Sequence, residues 1–270
     1  MISTVRLSRS GLETSRLAFG TSRLHYVDGS DRQRLLAAAV DLGLKHLDTA
    51  PAYGDGMAER EVGAFIQGRR SRVIVATKYG IPADPVLAAL PSLALPLRAA
   101  RAVARRAGLW RMQRPMLTPA GLRASAEASL RRLRTDTIDI LMLHEPASDR
   151  MVDAGALLEE LGRLRQRGLI RHFGLAGPWS GIASLGAAAS DLGEIVQTGE
   201  SEWPPASPPD ISYGAIAQGP QSAFAGSVDA PVAVARLQAA LARRPQGAVI
   251  VSTRKSENLA RLAEAARAAL

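Results

Sequence analysis

The sequence predicts an α/β chain of the (β/α)8 barrel class, the TIM barrel, and three observations carry the prediction. Short apolar runs alternate with helix-like runs eight times along the chain. The 270 residues match a typical barrel of about 250 and leave little room for a second domain. The polar residues most suited to chemistry fall at the C-terminal ends of predicted strands, where barrels build their sites. One domain over residues 1–270 is expected, with an Arg/Pro-rich loop insertion at about 81–115.

The elements follow in order. Leu17-Ala18-Phe19-Gly20 reads as a first strand, and Asp31 caps a helix through Leu42. Lys45 to Asp48 is the second strand, and Glu59 to Ile66 its helix. Val73 to Thr77 is β-branched and wholly apolar, as a parallel strand buried on both faces requires. Thr118-Pro119 supplies an N-cap and a first-turn proline to a helix ending at Arg134. Ile138 to Leu143 is the fourth strand, and Ala154 to Arg167 a helix closed by Gly168. His172 to Leu175, Glu194 to Gln197, Ile211 to Tyr213 and Ala248 to Val251 complete the strands. Ser180 to Ala189, Val232 to Arg243 and a run from Ser256 are the remaining helices. Two proline-rich stretches interrupt the pattern, Ile81–Pro115 and Trp203–Pro209, each after a strand's C-terminal end. The prolines of the first argue against regular structure there, with about three helical turns allowed over Arg98–Arg111.

Composition narrows the function classes. No run of about 18 apolar residues exists, so no membrane span is expected. The N-terminus lacks the apolar core of a signal peptide. Cysteine is absent, which excludes disulfides, thiolate metal sites and a cysteine nucleophile, and fits a reducing cytoplasm. The net charge of +9 is local, because the segment Arg98 to Arg134 carries ten arginines against Glu127 alone. A nucleic-acid footprint would spread wider or interleave aromatics, which are only 4% of the chain. Neither a nucleic-acid partner nor stable membrane association is expected. Arg98, Arg101 and Arg105 share a helical face, read as a solvated segment at the barrel mouth rather than an interfacial helix. His25, His46 and His172 are too scattered for a metal site, and none is expected.

In a barrel, the strand ends Asp48, Lys78 and His144 and the nearby Tyr53 converge on one mouth. Together they make a proton-transfer device. A free phenol has a pKa of about 10, too high for an efficient acid at neutral pH. An adjacent ammonium, Lys78, lowers it, and Asp48 compensates the buried ammonium. A neutral His144 can donate a hydrogen bond to a carbonyl oxygen. A carbonyl so polarised, with an acid beside it, is ready to accept hydride.

These residues sit in motifs that resemble the aldo-keto reductase family. Asp48-Thr49-Ala50, Tyr53-Gly54 and Glu59 look like its first signature, and Val75-Ala76-Thr77-Lys78 like its lysine strand. Ser129-Leu130-Arg131-Arg132-Leu133, Asp136, Asp139 and Leu143-His144 look like its central signature, and Gly168 to Gly174 like its fifth-strand approach. The resemblance implies a barrel that binds a nicotinamide dinucleotide without a Rossmann fingerprint, with Asp48, Tyr53, Lys78 and His144 as the catalytic tetrad. It implies cofactor contacts at Gly20 and Thr21, at Gln197 for the carboxamide, and at Tyr213 for stacking on the nicotinamide. Gly214, Ala215 and Ile216 would approach the pyrophosphate. Ser252, Thr253, Arg254, Lys255 and Asn258 would hold the 2′-phosphate of NADPH, where fixed donors and positive charge are needed. Two positions depart from the family. Ala176-Gly177 stands where it has Ser-Asn, and Arg261-Leu262 where it often has Glu-Asn.

The expected activity is NADPH-dependent reduction of a small-molecule aldehyde or ketone to an alcohol, with Tyr53 as proton donor. The alternative is a non-catalytic nucleotide-binding barrel acting as a regulatory or partner subunit. The basic insertion is expected to stand over the same face as Lys78 and to favour carbonyl substrates bearing a carboxylate or phosphate.

Overall fold

The computed structural model describes residues 2–89, 96–97, 100, 103–104, 107–108, 114–204, 206–216 and 229–269. Two strands precede the predicted set, β1 (Thr4–Arg6) and β2 (Glu13–Ser15). The eight expected strands then follow as β3 (Leu17–Gly20), β4 (His46–Asp48), β5 (Ile74–Tyr79), β6 (Ile138–His144), β7 (Ile170–Ala176), β8 (Ile195–Gly199), β9 (Ile211–Tyr213) and β10 (Ala248–Val251). Strands β3 to β10 form one closed parallel barrel, completed where β10 pairs with β3.

Period-two alternation divides the core. Leu17 and Phe19 of β3, Leu47 of β4, Val75 of β5 and Leu141 and Leu143 of β6 face outward into the helix-packed cluster. Ala18, Ala76, Ile140, Met142, Ala176, Ile195, Ile211, Ala248 and Ile250 fill the barrel interior. The β1–β2 hairpin covers the lower end, where Leu7 joins the interior cluster and Val5 and Leu12 pack against it. The signal for this hairpin was the turn pair Ser10-Gly11 after Thr4-Val5-Arg6; Gly11 takes φ +68° and Leu12 N–H bonds Ser10 Oγ.

The helices are α1 (Gly29–Asp41), α2 (Met57–Phe65), α3 (Pro85–Ala89), α4 (Pro119–Leu133), α5 (Ala154–Gln166), α6 (Trp179–Ala183), α7 (Ala188–Leu192), α8 (Ala230–Arg243) and α9 (Ser256–Ala268). Three sequence readings are corrected. Asp31 lies in the first turn of α1, and the cap position is Asp28, whose carbonyl receives the N–H groups of Asp31 and Arg32. The expected helix Ser180–Ala189 is two short helices, separated by Gly186 at φ +56°, a left-handed conformation that ends a helix. The insertion is not wholly irregular, since Pro85 opens α3 and Asp84 Oδ1 accepts from Val86 N and Leu87 N. Arg98, Arg101, Arg105 and Arg111 lie outside the described residues, and with them most of the helix expected over Arg98–Arg111. The Thr118 cap forms as expected, its hydroxyl accepting from Gly121 N. Among the described residues, no helix is long and apolar enough to cross a membrane.

Candidate active site

Strand parity assembles the site. Asp48, Lys78 and His144 share the inward parity of Ala18, Ala76 and Met142, one step nearer the C-terminal end. Lys78 lies inside β5, which runs on to Tyr79, rather than just past its end. Asp48 pairs across from Ala76, so Lys78 sits diagonally beyond it. Lys78 Nζ donates to Asp48 Oδ1 at 2.7 Å and Oδ2 at 2.8 Å, to Thr49 O at 3.0 Å and to Tyr53 Oη at 3.4 Å. Both charges are buried, with side-chain exposures of 1% for Lys78 and 3% for Asp48. Such a pair survives only with its hydrogen bonds complete, and here they are.

Tyr53 reaches the mouth from the turn after β4. Gly54, Asp55 and Gly56 follow it in the left-handed region, with φ of +60°, +58° and +81°, and lead into α2. Behind the turn, fully buried Glu59 accepts from Thr77 Oγ1 at 2.7 Å and from Arg132 Nε at 2.5 Å. Glu59 therefore ties α2 and α4 to the residue preceding Lys78. The Tyr53 and His144 rings meet edge to face, centroids 6.2 Å apart.

Electrostatics sets the protonation states. Burial raises the Tyr53 pKa above its ordinary value, and the pull of Lys78 in the other direction does not overcome it. The expectation of a net lowering is thus corrected for the protein alone: the phenol keeps its proton. Burial also opposes the Lys78 charge, but Asp48 and the hydrogen bonds of Asp48 and Tyr53 outweigh it, and the net direction is up. His144 is held well below the usual imidazole value, first by burial and then by Lys78, Arg150 and Arg114. It is neutral at physiological pH, as expected.

The other expected contact residues ring the same end of the barrel. Gly20 ends β3, and a Cβ there would lie 2.5 Å from Ser252 Oγ and 2.7 Å from Ile250 Cγ2, so the absence of a side chain makes room for those two residues at the seam. Thr21 is turned to structure: its N–H and hydroxyl both donate to Asp48 O, at 2.9 and 3.0 Å. Gln197 is buried in β8, and its Oε1 has no hydrogen-bond partner among the described residues. Tyr213 ends β9, its pKa raised first by burial and then by Glu202. Gly214 has φ +78° with no described residue within 4 Å of where its Cβ would lie, Ala215 is buried, and Ile216 O accepts from Arg236. Ser252 and Thr253 are partly buried, whereas Arg254, Lys255 and Asn258 are exposed where α9 begins. Leu262, at the departure noted above, is buried in the helix layer.

The departure at Ala176-Gly177 has a structural cause. A Cβ at Gly177 would lie 2.7 Å from Glu145 Cα, so the chain after β6 occupies the space of a side chain there. Sequence reasoning missed Glu145, Arg114 and Arg150. Glu145 follows His144 with φ +49° and pairs with Arg114 at 2.7 Å. Its place in the histidine motif was the available signal. Arg114, in the basic insertion, is thus matched by an acid at the mouth rather than left as uncompensated charge. Among the described residues no cluster has the makings of a metal site.

A barrel whose mouth carries an acid–ammonium–phenol chain and a neutral imidazole defines a class, and the comparisons agree. The chain belongs to the aldo-keto reductase family: the model of the Aldo/keto reductase family matches residues 16–192. It is 28% identical over 203 residues to the D-threo-aldose 1-dehydrogenase of a Pseudomonas species, covering 70% of this chain and 58% of that protein. It is 29% identical over 179 residues to the aldo-keto reductase YhdN of Bacillus subtilis, covering 63% and 45%. The chain spans about half the length of the curated relatives it matches. In fold it resembles the holo form of the aldo-keto reductase AKR11C1 from Bacillus halodurans, with TM-score 0.71, 21% identity and coverage of 98% and 91%. It also resembles an aldo-keto reductase from Klebsiella pneumoniae solved with NADPH, with TM-score 0.68, 22% identity and coverage of 99% and 90%.

Proposed function

We propose that this protein, acting as one barrel over its 270 residues, reduces a small-molecule aldehyde or ketone with NADPH, Tyr53 giving the proton. The observation that carries the reading is the hydrogen bond from Lys78 Nζ to Tyr53 Oη, backed by the buried Asp48 carboxylate. Lys78 donates to the phenol oxygen, so the phenol's own hydrogen is left to point elsewhere, toward a substrate in the mouth.

The residues present fit a nicotinamide dinucleotide. Gln197 Oε1, which no described residue bonds, is a buried acceptor suited to an amide N–H. Tyr213 offers a ring at the same end of the barrel, and among the described residues nothing crowds the main chain at Gly214, where a pyrophosphate would approach. Ser252, Thr253, Arg254, Lys255 and Asn258 cluster at the N-terminus of α9, where backbone N–H groups and side-chain donors suit a phosphate. With Gly177 closed off by Glu145, Gln197 carries more of the carboxamide contact. When bound, the dinucleotide supplies hydride to the carbonyl carbon.

The chain's own residues do the rest. Tyr53 and neutral His144 polarise the carbonyl oxygen by hydrogen bonds. As negative charge builds on that oxygen, the Tyr53 proton moves to it. The phenolate left behind faces the buried Lys78 ammonium, which stabilises it. Asp48 fixes the ammonium throughout, so no group has to reorient during the transfer.

NADPH oxidation with a panel of activated aldehydes, in the parent protein and in Tyr53→Phe, tests the reading. Turnover should fall about 10²–10⁴-fold, the usual contribution of a positioned general acid. Fluorescence titration should find NADPH affinity nearly unchanged. A variant keeping more than about a tenth of parental turnover removes Tyr53 as the acid. NADPH binding with no turnover on any aldehyde would favour the non-catalytic reading instead.

A further inference from the structure

We propose that Arg150 is a positioning residue for His144, clamping the two strand tips that carry Lys78 and His144 and the returning end of the insertion. Arg150 closes a short 3-10 turn, Ser148–Arg150, after β6, and is 7% exposed. Among the described residues its guanidinium donates four hydrogen bonds, all to main-chain carbonyls. Nη1 reaches His144 O at 3.2 Å and Glu145 O at 2.6 Å. Nη2 reaches Gly80 O at 2.7 Å and Pro115 O at 3.0 Å. In return, Arg150 O accepts from Leu117 N at 2.7 Å.

None of the four acceptors is a carboxylate, and that is the unusual feature. Buried arginines are normally paired with acids. This cation instead gathers carbonyl dipoles from three chain segments. The segments are crowded: a Cβ at Gly80 would lie 2.6 Å from His144 O. Without the guanidinium, four carbonyl oxygens would converge with no donor among them, and the cost of an unsatisfied acceptor falls first on the buried Gly80 carbonyl, the other three bonds being partly buried. The shortest bond goes to the carbonyl of Glu145, a non-glycine residue at φ +49°. Such a conformation persists only where its surroundings over-determine it. The clamp therefore fixes the backbone on both sides of the His144 carbonyl, and with it the direction of the imidazole.

Charge adds a second effect. Among the described residues, the groups facing His144 are Lys78 with its partner Asp48, the Tyr53 ring, the Glu145–Arg114 pair and Arg150 itself. After burial and Lys78, Arg150 contributes to keeping the imidazole neutral.

The inference rests on the carbonyl-reductase reading, and the test separates the two. In Arg150→Met, kcat should fall about tenfold or more, the scale of a small misplacement at a reacting centre. NADPH Kd should stay within about twofold, because no expected cofactor contact lies on the clamp. The acid limb of the kcat profile should move to higher pH, since one cation facing His144 is gone. Arg150→Lys keeps the charge and loses the fork, so it should restore the acid limb while kcat stays low. Parental kcat in folded Arg150→Lys overturns the proposal, as does an unshifted acid limb in Arg150→Met. If Arg150→Met fails to fold, Arg150→Lys decides alone, and its failure to fold as well would make Arg150 structural and overturn the proposal. A parent protein without NADPH turnover would instead fail the general reading.

Discussion

Acidification should cost this barrel stability through one histidine in its floor. His46 begins β4 with inward parity, beneath Asp48, and is completely buried. Its Nδ1 shares a 3.0 Å hydrogen bond with Thr14 Oγ1 from the hairpin, and its Nε2 has no partner among the described residues. Burial lowers its pKa from 6.5 to about 4, Lys78 adding to the effect while Asp48 and Asp139 oppose it. The folded state thus takes up the proton less readily than the unfolded chain. The contribution is complete above the unfolded value of 6.5 and is lost as pH falls from there toward the folded value. Linkage gives a loss of about 2 kcal/mol by about pH 5 and about 3 kcal/mol by about pH 4. His46→Asn keeps a hydrogen-bonding atom near the Nδ1 position and removes the titration. Urea unfolding of both proteins across about pH 7 to 4 should show the parent losing about 3 kcal/mol more than the variant. The comparison isolates His46, because His144 acts in the same direction in both proteins. Equal losses would refute the reasoning and place the imidazole in contact with water.

Two further outcomes are expected. Asp48→Asn leaves the Lys78 ammonium buried without its counter-charge; thermal and urea melts should show a loss of about 3–5 kcal/mol, and turnover should vanish with it. Arg254→Ala should weaken NADPH binding much more than NADH binding in fluorescence titration, because a 2′-phosphate is present only in the former; equal losses would mean that Arg254 does not read it.

The barrel was legible because buried parallel strands write themselves as short β-branched apolar runs. Val73-Ile74-Val75 and Ala248-Val249-Ile250-Val251 needed no context. The proton chain was legible for a related reason: Asp48, Lys78 and His144 are polar residues closing apolar runs, which a core would reject unless they met one another. What stayed hidden depends on tertiary placement. The net direction of the Tyr53 pKa turns on burial against Lys78, a balance that spacing does not contain. Arg150 reads in sequence like any solvated arginine, and only the convergence of four carbonyls reveals its use. Glu145 filling the space beside Gly177 joins two loops separated by a helix and a strand.

The seam between β10 and β3 has a kinetic consequence. Asp48 and Lys78 lie on the adjacent strands β4 and β5, 30 residues apart, a far shorter loop to close than the one that joins β3 to β10. Gly20 and Ser252 meet only when the last strand docks on the first, joining opposite ends of the chain. Contacts of such long range form slowly, because loop closure must precede them. During refolding, the burial of Lys78 against Asp48 should therefore run ahead of the assembly of the proposed dinucleotide site, and any regain of the proposed activity should follow the clock of ring closure rather than that of strands β4 and β5.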